Sequence, residues 1–200
     1  MFFGGKRIER SLGEQLRDLE RRAKTAHGPG GAATYLNQAG DLCLAAGQLS
    51  DALGYYGRAI DVHVQADRFD AAGAVCRKVI RTEPGVIRAR CTLAWLALGS
   101  GHEADARDHT QLYLRQAEAA GRELLALAQV RRMAAVAESE DLRFFLGEVL
   151  LDLGDGSAAD DVFGSILRER NRLDRRAPID AEERWSTARE AALQGPELGW

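Results

Sequence analysis

Between Lys6 and Ala26 the apolar side chains fall at Ile8, Leu12, Leu16, Leu19 and Ala23, with Arg and Glu crowded between them. Steps of three and four residues put one apolar stripe on a helix, so this stretch is predicted as an amphipathic helix. The run His27-Gly28-Pro29-Gly30-Gly31 then combines residues that accept positive φ with one that cannot continue a helix, and is read as a break. Helical periodicity resumes at Ala33 and continues, with turns between, to about Asn171. The helices expected there include Asp51 to Gln65, a run through Val75, Cys76, Val79 and Ile80, one from Arg122 to Ala137, and a pair from Glu140 to Asn171. No stretch alternates as a strand does, and about eight helices are expected in this region.

Within Ala33–Val64 two helices are joined by Gly47-Gln48-Leu49-Ser50, and small and large residues recur at set places: Gly40, Gly47, Ala52, Tyr56 and Ala59. The pattern returns in part at Ala72, Cys76, Val79 and Pro84, again at Leu93, Ala94, Ala97, Gly101 and Ala106, and last at Leu146, Gly147, Leu150, Gly154, Ala159, Phe163 and Ile166. This resembles the tetratricopeptide repeat, in degenerate form. Small residues let paired helices approach, and the aromatic fills the wedge between them. One such pair cannot bury its apolar stripe alone and needs stacked neighbours. The resemblance implies an all-α fold, a right-handed superhelical solenoid of antiparallel helix pairs. Thr110 stands where a large aromatic is usual, with Tyr113 one turn later as the substitute. The helix Asp51 to Gln65 serves two overlapping units, so the repeat register is open by one helix.

The expected organisation is an N-terminal amphipathic helix and Gly/Pro linker over residues 1–30, an array over 31–173, and a capping helix with a loose tail over 174–200. The first helix is read as a cap on the array rather than a coiled-coil strand, because it holds fewer than three heptads. Arg168 to Arg176 is a charge run read as a solvated helix end, and the helix from Ile179 to Leu193 carries Trp185, Ala188, Ala192 and Leu193 as a short stripe. Phe2, Phe3 and Trp200 stand out at the ends.

Composition narrows the function classes. The 200-residue chain is 46% hydrophobic and 28% charged, with four prolines, so it has enough apolar surface to fold. A net charge of −3 gives no reason to expect nucleic acid. The near-exclusive use of Arg over Lys is read as the mark of a GC-rich, bacterial genome. Cys43, Cys76 and Cys91 are odd in number and lack CxxC spacing, which suits buried thiols and a cytoplasmic location. No apolar run is long enough to span a membrane. His102 and His109 lack the spacing of a zinc pair, and Gly99-Ser100-Gly101 and Gly154-Asp155-Gly156 are turns between helices rather than phosphate loops. No cofactor, metal or enzymatic activity is expected.

What the resemblance implies about function is protein–protein interaction through a concave groove lined by the first helix of each repeat. The positions carried over are Thr34, Asn37, Asp41 and Leu44 in the opening repeat, Arg88, Cys91, Trp95 and Leu98 in the middle, and Asp141, Phe144, Glu148 and Leu151 in the last. Asn37, Asp41, Arg88, Trp95, Phe144, Glu148 and Asp152 form the candidate groove. Its acidic members disfavour a peptide carboxylate and favour a peptide or helix with apolar anchors beside Lys or Arg. The competing use of Trp95 and Phe144 is packing between helices. A second functional reading is a structural subunit of a larger assembly that contacts its neighbours through the termini.

Overall fold

The computed structural model describes residues 11–171 and 180–193. The Phe2–Phe3 start, the charge run beyond Asn171, Pro178 and the Trp200 tail lie outside the described residues. Among those residues there are ten α-helices and no strand: α1 (Leu12–Thr25), α2 (Pro29–Ala45), α3 (Leu49–Gln65), α4 (Phe69–Thr82), α5 (Ile87–Gly99), α6 (Glu103–Ala119), α7 (Glu123–Val136), α8 (Glu140–Asp152), α9 (Gly156–Arg170) and α10 (Ala181–Leu193). The all-α class follows from the uniform 3.6-residue period. The chain forms two compact units, Met1–Val75 and Cys76–Trp200, with the boundary inside α4.

Five of the turns between helices share one solution. After α2 the backbone N–H of Gln48 donates to the Cys43 carbonyl at 2.9 Å, and Arg68 to His63, His102 to Ala97, Arg122 to Ala117 and Asp155 to Leu150 repeat the same bond at 2.8–2.9 Å. This is the six-to-one bond of a helix end that reverses through a left-handed residue. That residue is Gly47, Gly101, Gly121 or Gly154, and in the turn after α3 it is Asp67 at φ 54°, one of the residue types that tolerate this region. The links from α4 to α5 and from α7 to α8 lack that glycine. Turns of this kind join α2 to α3, α3 to α4, α5 to α6, α6 to α7 and α8 to α9.

In the first unit, Ser11 and Glu14 form a reciprocal capping box that opens α1, with Glu14 N–H donating to Ser11 Oγ at 3.3 Å and Ser11 N–H to Glu14 Oε2 at 2.9 Å. Such a cap contributes on the order of 1 kcal/mol. The helix packs against α2 and is tied to α3 through Glu20, which accepts the Tyr55 hydroxyl at 3.0 Å and an Arg58 N–H at 3.2 Å. Those two bonds hold the Glu20 carboxyl below its usual range.

The glycine-rich break proves shorter than its composition suggests. Gly28 alone takes positive φ, at 79°, and Pro29 opens α2, since proline at the first helical position gives up an N–H that has no partner there anyway. Gly30 and Gly31 thus lie in the first turn of α2. Where α2 crosses α3, a Cβ at Gly40 would sit 2.5 Å from the Tyr56 ring. Tyr56 is wholly buried and donates its hydroxyl to Asp41 Oδ1 at 2.6 Å.

In the second unit α5 pairs with α6 and α8 with α9, α7 packs on α6 and α8, and α10 lies along α5 with a lesser contact to α7. Trp95, Tyr113, Val130, Met133, Leu146 and Leu150 are among the buried members of its core. Gly147 lets α9 approach, since a Cβ there would stand 2.8 Å from the Phe163 ring. The corresponding place in α6 holds Thr110, buried, with its hydroxyl 3.6 Å from Met133 Sδ. The wholly buried Tyr113 supplies aromatic bulk one turn on. Arg143 was not singled out by pattern, yet it is 96% buried and forms a two-pronged pair with Glu169 at 2.7 and 2.6 Å, joining α8 to α9. All three cysteines are buried thiols.

Candidate functional surface

Each helix distributes the candidate residues by its own geometry. On α8, Asp141, Phe144, Glu148, Leu151 and Asp152 are exposed, while Leu142, Arg143, Phe145, Leu146, Val149 and Leu150 are buried. The exposed set steps by three and four, so it forms one stripe along the helix. Phe144 is 47% and Leu151 50% exposed, high values for such side chains. The Phe144 ring leans on Phe163, with centroids 5.3 Å apart and planes 58° apart. One face of Phe144 is therefore fixed by α9 and the remainder meets water. Three carboxylates accompany these two apolar side chains. At one end Asp152 borders a depression between α6, α7 and α8 that Arg115, Glu118, Glu123, Val149 and Leu153 also line.

On α5 the corresponding residues are closed off. Arg88, Cys91, Trp95 and Leu98 are 5%, 3%, 0% and 3% exposed. Trp95 donates its indole N–H to Gln129 Oε1 at 2.8 Å and carries the Arg132 guanidinium 5.6 Å from its ring. It acts as a core side chain, which corrects its place in a ligand-facing groove. Arg88 is likewise interior. The Cys91 thiol is pushed up to about 12 by burial, with the Tyr113 hydroxyl and two guanidinium groups pulling the other way.

What sequence pattern missed is the position of α10. It does not close the array after α9 but lies on α5. A Cβ on Gly99 would come within 2.7 Å of the Trp185 ring and 3.0 Å of Ala188 Cβ, so the absent side chain makes the seat. Arg184 donates from Nε to the Gly99 carbonyl at 3.2 Å and pairs with Glu138 at 2.6 Å. Arg132 reaches Glu190 at 4.0 Å. Ala188, Ala191 and Ala192 are buried. The signal in the sequence was an alanine-faced helix with a single Trp, a face that requires a close neighbour but does not say which.

In the first unit Asn37 is half-buried on α2 and Asp41 is exposed, its carboxylate engaged by Tyr56. Thr34 and Leu44 are also exposed, so α2 presents its candidate residues outward as α8 does.

The ionisable groups of the interior serve packing. His63 and His109 are held below the usual imidazole value by burial, and for His109 the neighbouring Asp105 acts against that shift. Among the described residues no three His, Cys, Asp or Glu side chains converge as metal ligands, and no helix is long and apolar enough to cross a membrane. Set against protein-family models, curated proteins and solved structures, the chain matches none of them.

Proposed function

We propose that the chain is a non-catalytic adaptor of the tetratricopeptide type, a degenerate helical array that binds a peptide or helix of a protein partner in the cytoplasm. The observation that carries this reading is the α8 stripe, where Phe144 and Leu151 stand out to solvent between Asp141, Glu148 and Asp152. A helix–helix crossing in which Gly40 meets Tyr56, repeated where Gly147 meets Phe163, supports the family resemblance. Buried thiols without a disulfide among them fit a reducing compartment.

The chemistry of the stripe selects its ligand. Apolar anchors give affinity once they are desolvated, and the carboxylates around them favour Lys or Arg beside those anchors and disfavour acidic segments. The test uses two amphipathic peptides with the same leucines, one lysine-rich and one glutamate-rich, titrated into the full chain. The lysine peptide binds and the glutamate peptide does not, and Phe144→Ala and Glu148→Lys each weaken the former. Equal binding of both peptides, or binding indifferent to the two substitutions, refutes the reading.

A further inference from the structure

On the adaptor reading above, we propose that the depression between α6, α7 and α8 is a pocket for a Lys or Arg side chain of the partner, next to the apolar anchors that α8 receives.

The depression has an apolar floor and a charged rim. Leu114 of α6, Ala126 of α7, and Val149 and Leu153 of α8 form the floor, and Glu118, Glu123, Asp152 and Arg115 stand around it. Its volume is about 490 Å³, ample for one long side chain. Lys and Arg divide in the same way, with an apolar stem and a cationic head. The stem lies on the leucines and the valine, and the head meets the carboxylates. Three carboxylates against one guanidinium leave the rim electronegative however Arg115 turns.

These carboxylates call for a cation from outside the chain. Among the described residues the side chains of Glu118, Glu123 and Asp152 make no hydrogen bond or ion pair. By contrast, Glu138, Asp155 and Glu169 of the same unit are answered by Arg184, Arg131 and Arg143, and Glu140 by Arg170. Two of the three are also placed against their own helices. Glu118 lies in the last turn of α6 and Asp152 is the final residue of α8, and neither helix has a basic residue in its last turn. The C-terminal carbonyls of a helix carry partial negative charge, which disfavours a carboxylate there and favours a cation. Glu123, in the first turn of α7, suits its helix and adds to the negative field. A partner cation seated here therefore meets three carboxylates and two negative helix ends at once. Asp152 follows Leu151, the last apolar member of the exposed α8 stripe, so a partner laid along that stripe reaches the depression at its end.

The test uses the full chain, labelled for nuclear magnetic resonance at methyl groups and at Phe, and the lysine-rich leucine peptide. The same peptide carbamoylated at its lysines keeps the stems and loses the charge. The lysine peptide shifts the methyl signals of Leu114, Val149 and Leu153. Glu118→Gln with Glu123→Gln weakens its binding at least about tenfold and does not alter that of the carbamoylated peptide. Asp160→Asn with Asp161→Asn removes as much charge from exposed positions of α9 and changes binding less than about twofold, as screening of distant charges requires. All four side chains are exposed, and circular dichroism checks that both variants stay folded. Equal losses in the two double variants, or none in the first, overturn the proposal. The signals also separate it from the stripe reading. If Phe144 and Leu151 shift while Leu114, Val149 and Leu153 do not, the pocket is refuted and the stripe stands. Shifts confined to the depression uphold the pocket and refute the stripe, and no shift at either place overturns both.

Discussion

Helices α5 and α8 occupy equivalent places in the residue pattern, each opening a pair joined by a glycine turn, yet their outward positions have opposite fates. On α8 the Phe144, Glu148 and Leu151 side chains meet solvent, while on α5 the residues Arg88, Cys91, Trp95 and Leu98 are interior. Every α5 residue from Ile87 to Gly99 is buried except Arg90, which is half-buried. An alternation of apolar and polar positions reports how a helix divides its faces, but α5 is apolar nearly all round, and such a helix must be enclosed. A helix that reads as a ligand-binding element by position can thus read as a core element by composition, and composition prevails.

The largest effect that separates the two helices is expected from their aromatic residues. Trp95→Ala removes a fully buried indole and strands Gln129, so thermal melting should reveal a loss of about 3–5 kcal/mol. A small loss would return Trp95 to the surface and erase the contrast. Next is Gly147→Leu, in which the new side chain collides with the Phe163 ring and overpacks the α8–α9 crossing by about 1–3 kcal/mol. An unchanged melting temperature would mean that the crossing is looser than drawn. Phe144→Ala should cost under about 1 kcal/mol, because the residue is already 47% exposed. Its effect belongs to ligand binding, and a loss as large as that of Trp95→Ala would make α8 a second core helix.

Slower chemistry sharpens the same comparison. Cys91 on α5 is buried and its thiol is raised to about 12, so it should resist alkylation at neutral pH until the chain is denatured. Prompt labelling of the native protein would show α5 to be open. The smallest effect expected is that of pH through His109 on α6. Its folded-state value lies below the ordinary 6.5, burial being the main cause, with Asp105 and Asp108 opposing and Arg77 and Arg90 assisting. Below pH 6.5 the unfolded chain binds a proton that the folded chain does not, so stability is full above that pH and falls as pH drops toward the depressed value. His109→Gln should flatten this part of a denaturation profile measured against pH. An unaltered slope would assign the acid sensitivity to other groups, such as His63 in the first unit, which burial also holds below the usual imidazole value.

The residue pattern alone determined the helical class, the position of nearly every helix, and the two crossings at which a glycine admits an aromatic, Gly40 with Tyr56 and Gly147 with Phe163. These depend on spacing within one helix or between neighbours in a hairpin, so they are local and legible. The exposed positions of α8 were named through the family resemblance, and they are exposed because there the period divides the faces cleanly. It overextended the break before α2, since Gly30 and Gly31 disfavour a helix by propensity but are admitted to its first turn behind Pro29. Only the tertiary structure decided that α10 rests on α5 rather than capping α9, that Trp95 is interior, and that Arg143 is buried with Glu169. The Arg184 bond to Gly99 spans 85 residues, and an alanine face with one Trp fits any helix that offers a gap. Which helix offers that gap is a property of the assembled unit, because a missing side chain becomes a seat only when its neighbours are in place.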